Sequence, residues 1–196
     1  MLAFFAGLAA GLLHVFSGPD HLAAVAPLTA DSDRRPWFTG LQWGVGHTAG
    51  VMLVALLLLF ARAQLPLDSI SAYSERLVGV ALIAVGLWGM WRAGRAAARP
   101  HSHAGTSFAM GALHGLAGSS HLFGVLPAMA LSIPLDSMLY LGGFGLGAIA
   151  AMSAFAAGMG LLSVRFAGNN HRRYSGLLYA SSGAALIIGG VWLVGR

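Results

Sequence analysis

The chain of 196 residues has no cysteine and no lysine, and charged residues make up only 9% of it. The missing thiol excludes disulfides, thiolate metal sites, thiol redox chemistry and iron–sulfur clusters, so any metal must be held by nitrogen and oxygen donors. The scarcity of charge excludes an ordinary soluble domain, of which about a quarter is charged. Acids number six, Asp20, Asp31, Asp33, Asp68, Glu75 and Asp136, and Asp20 alone falls inside an apolar stretch. The eleven cations are all arginine and stand singly or in small groups between apolar stretches. That distribution suits membrane orientation and excludes a nucleic-acid face, despite a net charge of +5.

What is present is apolar: 57% of the residues are hydrophobic and 28 are glycine. A membrane-spanning helix takes about 20 apolar residues, and the sequence predicts six, over 2–29, 37–60, 76–92, 106–131, 137–162 and 176–195. The expected fold is an all-α integral membrane protein, one transmembrane domain over 1–196. The first stretch has no basic leader and carries the densest polar motif of the chain, so it reads as mature structure rather than a signal peptide. Arg34, Arg35, Arg92, Arg95, Arg99, Arg165, Arg172 and Arg173 fall on the odd-numbered connections, against Arg62, Arg76 and Arg196 on the other side. By the positive-inside rule both termini then lie outside the cytoplasm, in the cell inner (plasma) membrane. Trp37, Trp88, Trp91, Tyr73 and Tyr174 cluster at span ends as interfacial anchors.

Sliding the sequence against itself by 100 positions aligns Gly11, His14, Gly18, His21, Leu22 and Pro27 with Gly111, His114, Gly118, His121, Leu122 and Pro127. Gly44 and Gly46 fall near Gly145 and Gly147, and Ala81, Ile83 and Trp88 correspond to Ala185, Ile187 and Trp192. Three spans are thus duplicated: a first repeat at about 1–95, a connection over 92–105 and a second repeat at about 106–196. Because three is odd, the copies enter the membrane with opposite orientation, as two inverted three-helix repeats. Their first and fourth helices are expected to be broken.

Five histidines lie within the predicted spans: His14, His21, His47, His114 and His121. Ionisable groups at membrane depth are expensive and face a partner, a cavity or a pathway. On an unbroken helix His14 and His21 would sit about 10.5 Å apart along the axis, too far to share an ion with nitrogen–metal bonds near 2 Å. Gly18 and Pro19 supply the bend that brings them together. Asp20 adds the one intramembrane negative charge, as a ligand for a dication or as a cap on the restarted helix. The second copy has Ser119 and Ser120 where the first has Pro19 and Asp20, so an ion is expected nearer the first copy. Gln42 and Thr48 flank His47 and serve helix-to-helix hydrogen bonding or orient an imidazole. The expected metal ligands are His14, Asp20, His21, His47, His114 and His121. Because metal-bound imidazole must be neutral, binding should weaken as pH falls through about 6–7. His101 and His103 lie in the third connection as a candidate relay, and His171 reads as loop. Ligand type alone admits Ni²⁺, Co²⁺, Zn²⁺, Cu²⁺ or Fe²⁺.

His14 with Asp20 and His21, then Gly44, Gly46, His47 and Thr48, then His114 through Ser119, resemble the signatures of the nickel/cobalt transporter superfamily, especially its compact UreH-like branch. The spacing of His14, Gly18, Asp20 and His21 is also similar to HupE/UreJ proteins. Five residues separate His14 from Asp20, where the superfamily has four. The resemblance implies a six-helix permease for Ni²⁺ or Co²⁺, with His14, Asp20, His21 and His47 at metal-recognition positions. The ion would be a substrate, with no organic cofactor, carried by alternating access. The expected partners are the lipid bilayer, the metal ion and cytoplasmic metal-handling or nickel-enzyme maturation proteins; nucleic acid is excluded, and the many small faces are compatible with a homodimer. The rival readings are a proton-coupled permease for a small organic or anionic solute, a maturation partner that moves nothing, and an intramembrane metalloenzyme. Against the enzyme stands the lack of a distinct nucleophile or second intramembrane carboxylate.

Overall fold

The computed structural model describes residues 1–30, 35–61, 67–95, 104–116, 119–168 and 170–194. Among these the chain is all helical: α1 Leu2–Ser17, α2 Pro19–Ala30, α3 Pro36–Ala61, α4 Leu67–Ala93, α5 Ala104–Leu116, α6 Ser119–Ala130, α7 Pro134–Leu162 and α8 His171–Val194. Three single helices are long and apolar enough to cross a membrane, Glu75–Ala93, Pro134–Ala167 and His171–Val194. The pair α1 and α2, bent by 72° at its break, makes a fourth if read as one span.

The break falls at Gly18. Its backbone turns extended (φ −95°, ψ 95°) while its N–H still closes on the carbonyls of His14 and Val15. Pro19, which has no N–H to offer, opens α2 at a position where none is needed. Two expected boundaries are corrected. The segment Arg165–Arg173, read as a connection, continues α7 through a single wide π turn at Ser163–Ala167, and α8 begins at His171 rather than 176. The cause is local: Gly168 takes a positive φ of 50° that ends the turn, and the Asn170 side chain accepts the Arg173 N–H at 3.2 Å, capping α8. His171 therefore stands in a helical first turn, 3.4 Å from the Ser175 hydroxyl, and not in a loop.

The most extensive pairings are α1 with α7, α3 with α5, α4 with α8 and α3 with α7. Glycine makes the first two. A β-carbon on Gly11 would collide with the Phe144 carbonyl, and one on Gly147 with that of Leu8. On the other pair, Gly111 meets the Trp43 carbonyl and Gly46 that of Phe108 in the same way. Backbones this close gain dispersion over their whole crossing, which is what holds helices together where lipid removes the hydrophobic drive. The core that results joins Val15, Val25, Leu28, Trp43, Leu82 and Met152.

Candidate metal centre

Three helices converge on one polar cluster inside this apolar core. The bend at Gly18 folds α2 back so that the Nε2 atoms of His14 and His21 face each other at 3.1 Å. α3 brings His47 alongside, its ring centroid 5.6 Å from that of His14 and 5.0 Å from that of His21. One ring nitrogen from each of the three imidazoles lies within 4.8 Å of the others. His21 and His47 are fully buried and His14 is half-buried.

Two ring nitrogens 3.1 Å apart share either a proton or a cation. With nitrogen–metal bonds of 2.0–2.1 Å and ligand angles of 90–109°, two imidazoles on one ion stand roughly 2.8–3.4 Å apart. The His14–His21 separation is within that range.

Asp20 stands on the far side of His21 from the other two imidazoles. Its carboxylate lies 3.1 Å from Nδ1 of His21, the ring atom opposite the cluster, and it is not in the group of mutually close ligand atoms. A carboxylate there favours a proton on Nδ1 over one on Nε2, which would leave the Nε2 lone pair directed at His14; partners on the far side of the ring orient it and set its tautomer at metal sites. Gly18 makes room for the contact, since an added β-carbon would stand 2.8 Å from His21 Nδ1 and 3.1 Å from the Asp20 carboxylate. Exchanging Asp20 for asparagine should therefore weaken metal affinity by about 10–100-fold without abolishing it, as read by titration of the purified protein with Zn²⁺. A complete loss of binding would make Asp20 a ligand.

His114 is buried beside the cluster, its ring 5.8 Å from that of His21. Its Nδ1 donates to the Met110 carbonyl at 2.9 Å, because a carbonyl oxygen can only accept. The neutral ring then carries its lone pair on Nε2, which has no hydrogen-bond partner among the described residues. The backbone of His121 is in α6, but its side chain lies outside what the structure describes, as do His101 and His103. Thr48 donates to the Gly145 carbonyl at 3.3 Å, a helix-to-helix bond.

Sequence reasoning missed the wall of the site. Trp43, one helical turn before His47, stacks on it at 4.9 Å and 13°, and its indole also touches His21 and His114 at 5.3 and 5.4 Å. Phe144 of α7 closes the side next to His14 at 5.4 Å. The signal was present in the i, i+4 spacing of Trp43 and His47.

No family model matches the chain, and no solved structure does. It is 32% identical to the Arabidopsis thaliana protein named Chloroplast protein FOR GROWTH AND FERTILITY 2, over 93% of this chain and 54% of that protein. It is also 32% identical to Chloroplast protein FOR GROWTH AND FERTILITY 1 of the same plant, over 93% of this chain and 56% of the relative. The chain thus spans about half the length of the curated relatives it matches. These findings overturn the resemblance to the nickel/cobalt transporter superfamily and to HupE/UreJ proteins, and with it nickel or cobalt as the designated ion. The relatives are named for growth and fertility, and no family model supports the assignment. The expected inner (plasma) membrane location falls on the same match, since both relatives are named chloroplast proteins.

Proposed function

We propose that this chain binds a divalent first-row transition-metal cation in the interior of a membrane, on His14, His21 and His47, as a stage in that ion's passage across the bilayer. The observation that carries the reading is the convergence of three imidazole nitrogens, drawn from both sides of a broken helix and from a third helix, in a largely apolar core. Neutral imidazole is the donor that suits such ions. Depth agrees with it. His14 lies about 18 Å along α1 from Leu2, His47 about 16 Å along α3 from Pro36 and His114 about 15 Å along α5 from Ala104. Each is about half the roughly 30 Å hydrocarbon thickness.

The layout we infer is six spans in two inverted three-helix repeats, with α1–α2 matching α5–α6, α3 matching α7 and α4 matching α8. Paired contacts support it. Gly11 against Phe144 has its counterpart in Gly111 against Trp43, and Gly147 against Leu8 in Gly46 against Phe108. Where Gly7 approaches the Tyr140 carbonyl, the matching Ser107 hydroxyl donates to the Thr39 carbonyl at 2.8 Å. Repeats of this kind put their ion sites at the interface near the midplane, beside broken helices.

The test is reconstitution into sealed vesicles holding a metal-sensitive dye, beside elemental analysis of the purified protein loaded from a mixture of divalent ions. We expect about one ion per chain and dye response on external addition, both lost in a folded His14→Ala, His21→Ala variant. Metal bound without dye response would make the chain a holder of the ion. No metal in the folded wild type would end the metal reading.

A further inference from the structure

The two half-helices that the repeat matches, α2 and α6, are packed very differently. α2 lies against α8, α7, α3 and α4, whereas α6 leans on α7 and touches α3 and α1, with no substantial packing on α4 or α8 among the described residues. Matched positions differ accordingly. Ala26 is 8% exposed and its counterpart Leu126 50%; Thr29 is 1% exposed and Met129 44%. Pro27 is buried and Pro127 exposed.

Most of the remaining packing is matched, α1 on α7 by α5 on α3 and α2 on α3 by α6 on α7, although α4 packs on α5 while α1 has no comparable packing on α8 among the described residues. Two copies of one unit that differ chiefly in the seat of one half-helix define a second arrangement, related to this one by exchanging the copies. Beside α2, a groove of about 390 Å³ on α4 is lined by Ala81, Ala84, Val85 and Trp88, with Leu28 of α2 and Met110 of α5 at its edges, which leaves α2 room to shift.

We propose that α2 and α6 alternate in packing against the α4–α8 pair, each in its own slot at opposite ends of that pair, with α2 seated in this structure and α6 seated, α2 displaced, in a second state. The proposal rests on the inverted-repeat reading above and gives it a moving part. In the membrane, leaving the slot exchanges protein contacts for lipid contacts of similar apolar character, so no large hydrophobic term fixes either state. Motion of α2 would carry His21 away from His14 and His47 and take the cluster apart, which is how a deeply buried ion would be released.

The chain has no cysteine, so introduced thiols report without background. A β-carbon on Gly89 would lie against the Ser182 hydroxyl and 3.3 Å from the Pro27 side chain, which makes Pro27 and Ser182 neighbours in this state. Their repeat counterparts are Pro127 and Val78. In native membranes, a short bifunctional thiol reagent should join the Pro27→Cys, Ser182→Cys pair quickly. It should join the Pro127→Cys, Val78→Cys pair more slowly, yet in most chains in the end, because irreversible capture accumulates even a state populated at about 10%. A second measurement guards against a pair that fails to fold. Spin labels on the exposed positions Met129→Cys and Val80→Cys should give two distances by pulsed resonance. Absence of the Pro127–Val78 link beside a complete Pro27–Ser182 link, or a single label distance, would overturn the proposal. Neither readout involves metal, so failure of the chain to bind an ion would be seen separately.

Discussion

His21→Ala is expected to leave the purified, folded chain without stoichiometric metal. His21 is the pivot of the cluster: its Nε2 meets that of His14 at 3.1 Å, its ring stands 5.0 Å from that of His47, and its Nδ1 faces Asp20. Removing it takes away one donor and separates the other two from the Asp20 carboxylate. Loss of an outer-shell partner costs about 10–100-fold in affinity, and loss of the donor itself should exceed 100-fold. His14→Ala and His47→Ala should approach that size, because two imidazoles do not make a tight site for a four-coordinate ion. His114→Ala serves as the comparison, since its Nε2 does not belong to the group of three. Titration of each variant with Zn²⁺, checked by size-exclusion profile for folding, reads the series. Equal losses across all four would sink the three-histidine assignment, and unchanged affinity in His21→Ala would sink the site.

The other large effect falls on neighbouring glycines with opposite surroundings. Gly143→Leu should lower the folded-to-unfolded ratio at least tenfold, whereas Gly142→Leu should leave it nearly unchanged. At Gly143 any β-carbon would collide with the Phe4 carbonyl of α1, while at Gly142 nothing lies within 4 Å. A side chain driven into a packed backbone costs about 1–3 kcal/mol or more, and here the obstacle is a helix carbonyl that cannot swing aside. The pair α1–α7 would have to part, moving His14 with it. Monodisperse yield in detergent and the melting temperature measure both variants. Similar behaviour of the two would mean that α1 does not cross α7 at these glycines.

Of the relation between sequence and structure, the bend is the instructive element. Gly18 and Pro19 could be read as a break because proline's missing donor and ring act locally, whatever the rest of the chain does. That such a break could bring His14 towards His21 was legible in the same way, since two histidines seven apart on a helix meet only if it folds; which ring atoms meet was not. Asn170 is a contrary case. Its capping role was as local as that of Pro19, but the arginines around it read as a connection, and α8 starts five residues before the expected position.

The glycines and Asp20 belong to tertiary structure. Gly142 and Gly143 are the same residue in the same run, and only the passage of α1 over one face of α7 makes one indispensable and the other free. Asp20 could as well ligate an ion as orient a ring, because a carboxylate does both with the same atoms. The direction of His21, set by the 72° fold of α2 on α1, put it at Nδ1. The sequence by itself determined that the chain is helical, apolar, without thiol chemistry, and broken beside its histidines, since those properties depend on composition and on neighbours along the chain. Which imidazoles meet, which surround them and which half-helix stands inside were decided only by the packing of helices far apart in sequence, where contact depends on the position of every backbone at once.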